Sequence, residues 1–194
     1  MSKVVIIDYG TGNIQSVRFA LERLGVKTQL SKNHKIIKNA EKVIFPGVGE
    51  AGSAMTNIRK HGLEKVIPKL KQPVLGICLG MQLMCSFSEE SNTSCLDIFP
   101  LKVKKFNVEL KIPQMGWNEI KNLQTGLFNN IDEQSFVYFA NSYSIETSEY
   151  TIAETEYGDK FSAALNKNNF YACQFHPEKS SDVGMQILKN FLEL

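Results

Sequence analysis

The sequence predicts an α/β fold: an open, mostly parallel mixed sheet with flanking helices and antiparallel additions, in a single domain over residues 1–194. Three observations predict it. Short β-branched runs alternate with helically patterned segments as far as residue 86, and that alternation requires right-handed crossovers between parallel strands. From residue 101 the apolar segments become aromatic and β-branched, with no long helix until residues 183–192. A chain of 194 residues, 43% of them hydrophobic, is long enough to bury one full core.

Residues 3–7, Lys3 followed by four β-branched residues, suit a strand covered on both faces, and Asp8-Tyr9-Gly10-Thr11-Gly12-Asn13 closes it as a turn. The two glycines there fall short of a dinucleotide fingerprint, because the third glycine is missing. Ile14, Val17, Ala20, Leu21 and Leu24 then recur at helical spacing, and Gly25 stops that helix. Residues 26–30 and 43–45 read as the second and third strands, the latter opening into Pro46-Gly47-Val48-Gly49. Helical patterns cover residues 51–59 and 63–70, a fourth strand covers 74–77, and a helix is expected from Cys78 to about Ser86. Residues 88–94 read as a polar loop or insertion. Residues 101–110, 136–139, 150–155, 161–165 and 170–174 read as strands, with antiparallel ones added on one side of the sheet and a terminal helix over 183–192.

A net charge of +2 and scattered basic residues give no electrostatic case for a nucleic-acid or membrane role. No apolar stretch approaches the ~20 residues needed to span a bilayer, and no cleavable leader is recognisable, so a cytoplasmic protein is expected. Cys78, Cys85, Cys95 and Cys173 lack the spacing of a zinc knot or a disulfide framework. No metal and no cofactor are expected.

In Pro73-Val74-Leu75-Gly76-Ile77-Cys78-Leu79-Gly80-Met81-Gln82 an apolar run ends in a cysteine bracketed by glycines. A nucleophile at a strand-to-helix turn needs a tight backbone, which glycines two positions before and after it permit. The following helix aims its N-terminal amides at the sulfur and favours the thiolate. The other reading is a buried structural cysteine. A thiol nucleophile also needs a base and a group to orient it. Among the three histidines, His34 and His61 lie in polar surroundings, whereas an apolar strand delivers His176, followed by Pro177 and Glu178. On an extended segment residues i and i+2 share a side, so Glu178 can orient His176. Backbone amides of the glycine-rich loop at 46–49 can face a developing oxyanion; a plain turn is its other reading.

These motifs resemble the class I, or triad, glutamine amidotransferases. The stretches Ile7-Asp8-Tyr9-Gly10-x-Gly12-Asn13 and Pro113-x-Met115-Gly116-Trp117-Asn118 are similar to the glutaminase-subunit family of imidazole glycerol phosphate synthase, nearly end to end. The resemblance implies a flavodoxin-like sheet and hydrolysis of L-glutamine with Cys78, His176 and Glu178 as nucleophile, base and orienter. It implies oxyanion and substrate contacts at Gly47, Val48, Gly49, Leu79, Gln82, Asn141, Ser142 and Tyr143. It further implies a heterodimer with a (β/α)8-barrel cyclase, docked through Asn13, Gln114, Met115, Gly116, Trp117, Asn118, Tyr138 and Lys179. Because unproductive hydrolysis would waste glutamine, low activity is expected until that partner holds its substrate. The chain departs from the family at Gln114 and Asn141, where histidine is usual. A paralogous triad glutaminase serving another acceptor, and a non-catalytic regulatory subunit of the same fold, remain open as alternatives.

Overall fold

The structure, a computed structural model, describes residues 4–10 and 14–194. The first half follows the expected alternation: β1 (Val4–Ile7), α1 (Ile14–Arg23), β2 (Thr28–Ser31), α2 (His34–Lys38), β3 (Lys42–Phe45), α3 (Ala51–Lys60), β4 (Val74–Ile77) and α4 (Leu79–Leu83). The second half holds β5 (Cys85–Ser88), β6 (Thr93–Ser94), β7 (Phe99–Lys105), β8 (Gln114–Ile120), β9 (Ser135–Asn141), β10 (Tyr143–Ile145), β11 (Thr151–Tyr157), β12 (Asp159–Lys167), β13 (Phe170–Cys173) and α5 (Ser181–Glu193).

Among the described residues the largest sheet runs β11-β12-β13-β4-β3-β1-β2. The segment from β13 to β2 is parallel throughout, and β12 and β11 extend it antiparallel at one edge. The burial of β1 shows why the apolar run is continuous. Val5 and Ile7 face one core with Val43, Phe45 and the α3 residues Ala54, Met55 and Ile58. Val4 and Ile6 face the other, with Val17 and Leu21 of α1 and Ile187, Leu188 and Phe191 of α5. A strand covered on both sides carries no polar alternation. No helix among the described residues is long and apolar enough to cross a membrane.

Several expectations are corrected. The helix after Cys78 stops at Leu83, because β5 begins at Cys85 and pairs with β7 and β6 in a separate four-stranded sheet ordered β10-β7-β5-β6. The stretch at 88–94 is therefore not a plain loop: it contains the end of β5, a 3-10 turn at Glu90–Asn92 and β6. Residues 63–70 form two 3-10 turns, since Pro68 removes the amide that a continuous helix would need there. The segments at 101–110 and 136–139 do not join the main sheet. Residues 101–105 lie in β7 of the four-stranded sheet, with 106–110 outside any strand, and the second segment belongs to a two-stranded ribbon of β8 and β9. Asn13 and the rest of the turn at 11–13 lie outside the described residues.

Candidate active site

Cys78 ends β4 with φ 53° and ψ −110°, a left-handed conformation rare for a residue with a side chain. Its N–H donates to Cys173 O at 2.8 Å, while its carbonyl accepts from Met81 N at 3.0 Å, so sheet and helix clamp the turn from both sides. The glycines permit the crossing. A Cβ on Gly80 would lie 1.9 Å from Phe45 O, and one on Gly76 would press on Met84 Sδ at 3.0 Å. Burial pushes the other thiols away from reactivity: Cys85 and Cys173 are raised strongly, and Cys95 to about 11.

His176 and Glu178 meet beside this turn. His176 Nδ1 and Glu178 Oε1 are 2.8 Å apart, and both side chains are almost wholly buried. The segment is not extended, as the sequence suggested: Pro177–Lys179 is a 3-10 turn, started by the fixed φ of Pro177. The carboxylate still reaches the ring, now by curling back. Burial works against a charged imidazole, but hydrogen bonds with Cys78 and with Glu178 outweigh it and raise the His176 pKa to about 10. The ring is thus held toward its protonated form between a thiol and a carboxylate. Gly184 lets α5 pass directly beneath the turn, where an added Cβ would stand 1.9 Å from Pro177 O.

A pocket of about 270 Å³ opens over the thiol, lined by Cys78, His176, Leu79, Gln82, Val48 and Gly49 on one side. Asn141, Ser142, Tyr143, Pro113 and Lys179 line it on the other. Gly47 lies deeper, packed under the Tyr9 hydroxyl, which donates to Pro46 O at 2.8 Å. Glu50 fixes the far end of the loop by accepting from Gly52 N and Ser53 N at 2.7 Å each. Hydrogen bonds from Ser91 first, then from those amides, lower its pKa to about 2. Between these anchors Gly49 takes φ +104°, in the region that favours glycine. Gln82 Nε2 donates to Gln174 Oε1 at 3.0 Å, and Gln174 Nε2 approaches Cys78 Sγ at 3.7 Å.

Met115, Trp117 and Tyr138 share one face of the β8–β9 ribbon, where Met115 pairs with Ala140 and Trp117 with Tyr138. Trp117 is 53% exposed and stacks edge-on with Tyr138, ring centroids 6.1 Å apart, while Lys179 Nζ lies 5.7 Å from the Tyr138 ring centroid. Gly116 and Asn118 occupy the same strand, and Gln114 is buried at its start.

A class-I glutamine amidotransferase family model matches residues 5–194. Imidazole glycerol phosphate synthase subunit HisH of Bacteroides fragilis strain YCH46 is 54% identical over 195 residues, covering 99% of this chain and all of that one. The chain belongs to the HisH family of class I glutamine amidotransferases. A HisH subunit of Haemophilus influenzae strain 86-028NP is 46% identical over 195 residues, covering 100% of this chain and 98% of that one. Among solved structures, a glutamine amidotransferase superposes with a TM-score of 0.76 at 18% identity, over 97% of each chain. Another from Thermotoga maritima superposes with a TM-score of 0.66 at 15% identity, over 99% of this chain and 81% of that one. At those identities the likeness concerns the fold. For a HisH family chain, the sequence reading missed three residues near the pocket. Glu90 lines it from the stretch read as a loop, and no periodic signal marks it. Gln174 lies two residues before His176, so strand alternation would have placed it on the same side. Ser180, fully buried, donates to His176 O at 2.6 Å.

Proposed function

We propose that this chain hydrolyses glutamine to glutamate and ammonia and hands the ammonia to a separate (β/α)8-barrel cyclase chain. That partner makes imidazole glycerol phosphate and the aminoimidazole carboxamide ribotide of histidine biosynthesis. The observation that carries the reading is Cys78 on a left-handed turn, opening into a pocket beside the buried His176–Glu178 pair.

Cys78 sulfur attacks the carbon of the glutamine side-chain amide, placing negative charge on its oxygen. Backbone N–H groups of Val48 or Gly49 and of Leu79 receive that charge, and each such donor typically lowers the barrier by ~2.7–4 kcal/mol. The C–N bond breaks as the His176 imidazolium gives its proton to the leaving nitrogen, so ammonia departs and a thioester remains. Water then attacks the thioester, His176 takes its proton, and glutamate leaves with the thiolate restored. Glu178 holds one ring tautomer through both steps. Gln82, Asn141, Ser142 and Tyr143 bind the amino-acid portion, and the Glu90 carboxylate suits its ammonium group. Only side chains, backbone and water take part.

Met115, Trp117, Tyr138 and Lys179 form the docking face, with Asn118 and Gly116 completing its strand. Aromatic residues exposed in this way are the residues that dominate interface energetics. The relatives named as HisH subunits favour this synthase over another acceptor pathway. The test is a glutaminase assay with the cyclase, with and without its ribotide substrate. Stimulation by the liganded partner is expected, while equal rates with and without it contradict the coupling.

A further inference from the structure

Gln174 directly follows β13, whose Cys173 pairs with Ile77 at the end of β4, so it stands one rung further on, beside Cys78. Its backbone N–H continues the ladder on the other side, donating to Ala163 O at 2.8 Å. The side chain is wholly buried and lies outside the lining of the catalytic pocket, so it meets the sulfur from the protein side and not from the substrate side. An amide buried so completely must find partners for its polar atoms.

Those partners form one directed chain. Tyr143 O, a backbone oxygen that can only accept, takes an N–H from Gln82 Nε2 at 3.3 Å. Gln82, one turn along α4 from Cys78, also donates from Nε2 to Gln174 Oε1 at 3.0 Å. With its oxygen committed, Gln174 turns Nε2 toward Cys78 Sγ at 3.7 Å. Flipping Gln82 would set two oxygens against each other, and flipping Gln174 two nitrogens. A backbone carbonyl thus dictates that the sulfur faces a donor.

We propose that Gln174 is a catalytic residue of thioester hydrolysis: its Nε2–H meets the negative charge that returns to the Cys78 sulfur as the C–S bond breaks. This rests on the glutaminase reading above. In that step water forms the new C–O bond and gives a proton to His176, while the electron pair of the C–S bond passes to sulfur. The freed side-chain carboxyl loses its remaining proton to solvent. A thioester sulfur is neutral and a poor acceptor, whereas a thiolate takes a charge-assisted bond, so the N–H binds the departing sulfur more strongly than the acyl state. Acylation runs the other way, from a thiolate already paired with the His176 imidazolium, and gains no such help.

The experiment uses the complex with the cyclase and its ribotide substrate at saturating glutamine, and reads turnover together with the acylated fraction of the Cys78 peptide after acid quench. Turnover divided by that fraction is the rate constant of hydrolysis, and turnover divided by the remaining fraction is that of acylation, whichever of the two limits. Gln174→Met removes the donor at similar size. Hydrolysis is expected to slow about tenfold, the low end for one hydrogen bond to a charged group, while acylation changes less than about threefold and the acylated fraction rises. Gln174→Glu keeps the acceptor for Gln82 and sets an oxygen against the sulfur. The same split is expected there, and it carries the test if Gln174→Met does not fold. An unchanged hydrolysis constant, or equal falls in both constants, means the amide only packs the turn and overturns the proposal. If the wild-type complex releases no glutamate at all, the glutaminase reading itself falls.

Discussion

Tyr138 and His176 are joined through their backbones. The His176 N–H donates to Tyr138 O at 2.9 Å, and Ser180 Oγ closes a second link by accepting from Tyr138 N at 2.9 Å while donating to His176 O. Tyr138 shows its ring to the exposed face beside Trp117, and His176 turns its ring toward Cys78. A displacement of Tyr138 therefore reaches His176 through two hydrogen-bonded steps.

Ser180→Ala breaks the second link and leaves the Tyr138 N–H and one lone pair of the His176 carbonyl unpaired in the interior. The expected cost is about 1–3 kcal/mol in urea unfolding. The partner's stimulation of glutaminase activity is expected to shrink more than the unstimulated rate does. A proportional loss of both rates argues against coupling along this route.

Glu178→Gln preserves size but removes the charge that stabilises the His176 imidazolium and fixes its tautomer. Turnover in the partner complex is expected to drop on the order of 10²–10⁴-fold with KM for glutamine little altered. A rise in KM at constant turnover would make Glu178 a substrate contact instead.

Because His176 is raised in the folded chain from its ordinary 6.5 to about 10, the folded state holds a proton there that the unfolded chain has lost. The stability it brings is fully present below about 6.5 and is lost as pH rises through about 10. Urea unfolding of the wild type and His176→Gln across that range should show their difference moving against the wild type, by at most about 1.4 kcal/mol per pH unit. A difference that stays constant contradicts a protonated His176.

Gly80→Ala places a methyl group 1.9 Å from Phe45 O, a backbone atom of a central strand that cannot yield cheaply. A loss of about 3 kcal/mol or more is expected, at the upper end for overpacking. Trp117→Ala is the opposite case. The side chain is half exposed, so the isolated chain should change by about 0.5 kcal/mol or less, while binding to the cyclase weakens by about 2 kcal/mol or more. Calorimetry on both species separates the two.

The parallel half of the sheet was legible because continuous runs such as Val4 to Ile7 can only be two-faced strands, and their glycine-rich ends locate the loops that carry Cys78 and Val48. The second half was not. Gln114 to Ile120 contains a glycine, two amides and a carboxylate with no period of two, and it forms a strand because β9 offers it a full ladder. The helix at Cys78 was overextended for the converse reason: Met84 and Cys85 continue an apolar pattern, yet pairing with Phe99 draws Cys85 into a strand. The His176–Glu178 pair was foreseen from spacing, although a turn and not a strand brings the groups together. Ser180 and Glu90 act through tertiary contacts that spacing does not encode.

The most direct measurement is trapping of the acyl intermediate. The complex with the cyclase and its ribotide, turning over glutamine, is quenched in acid and its peptides are weighed by mass spectrometry. A glutamyl thioester on the peptide carrying Cys78, and on none of those carrying Cys85, Cys95 or Cys173, is the predicted result. Turnover with an adduct on another cysteine, or undiminished turnover by Cys78→Ala, would contradict it.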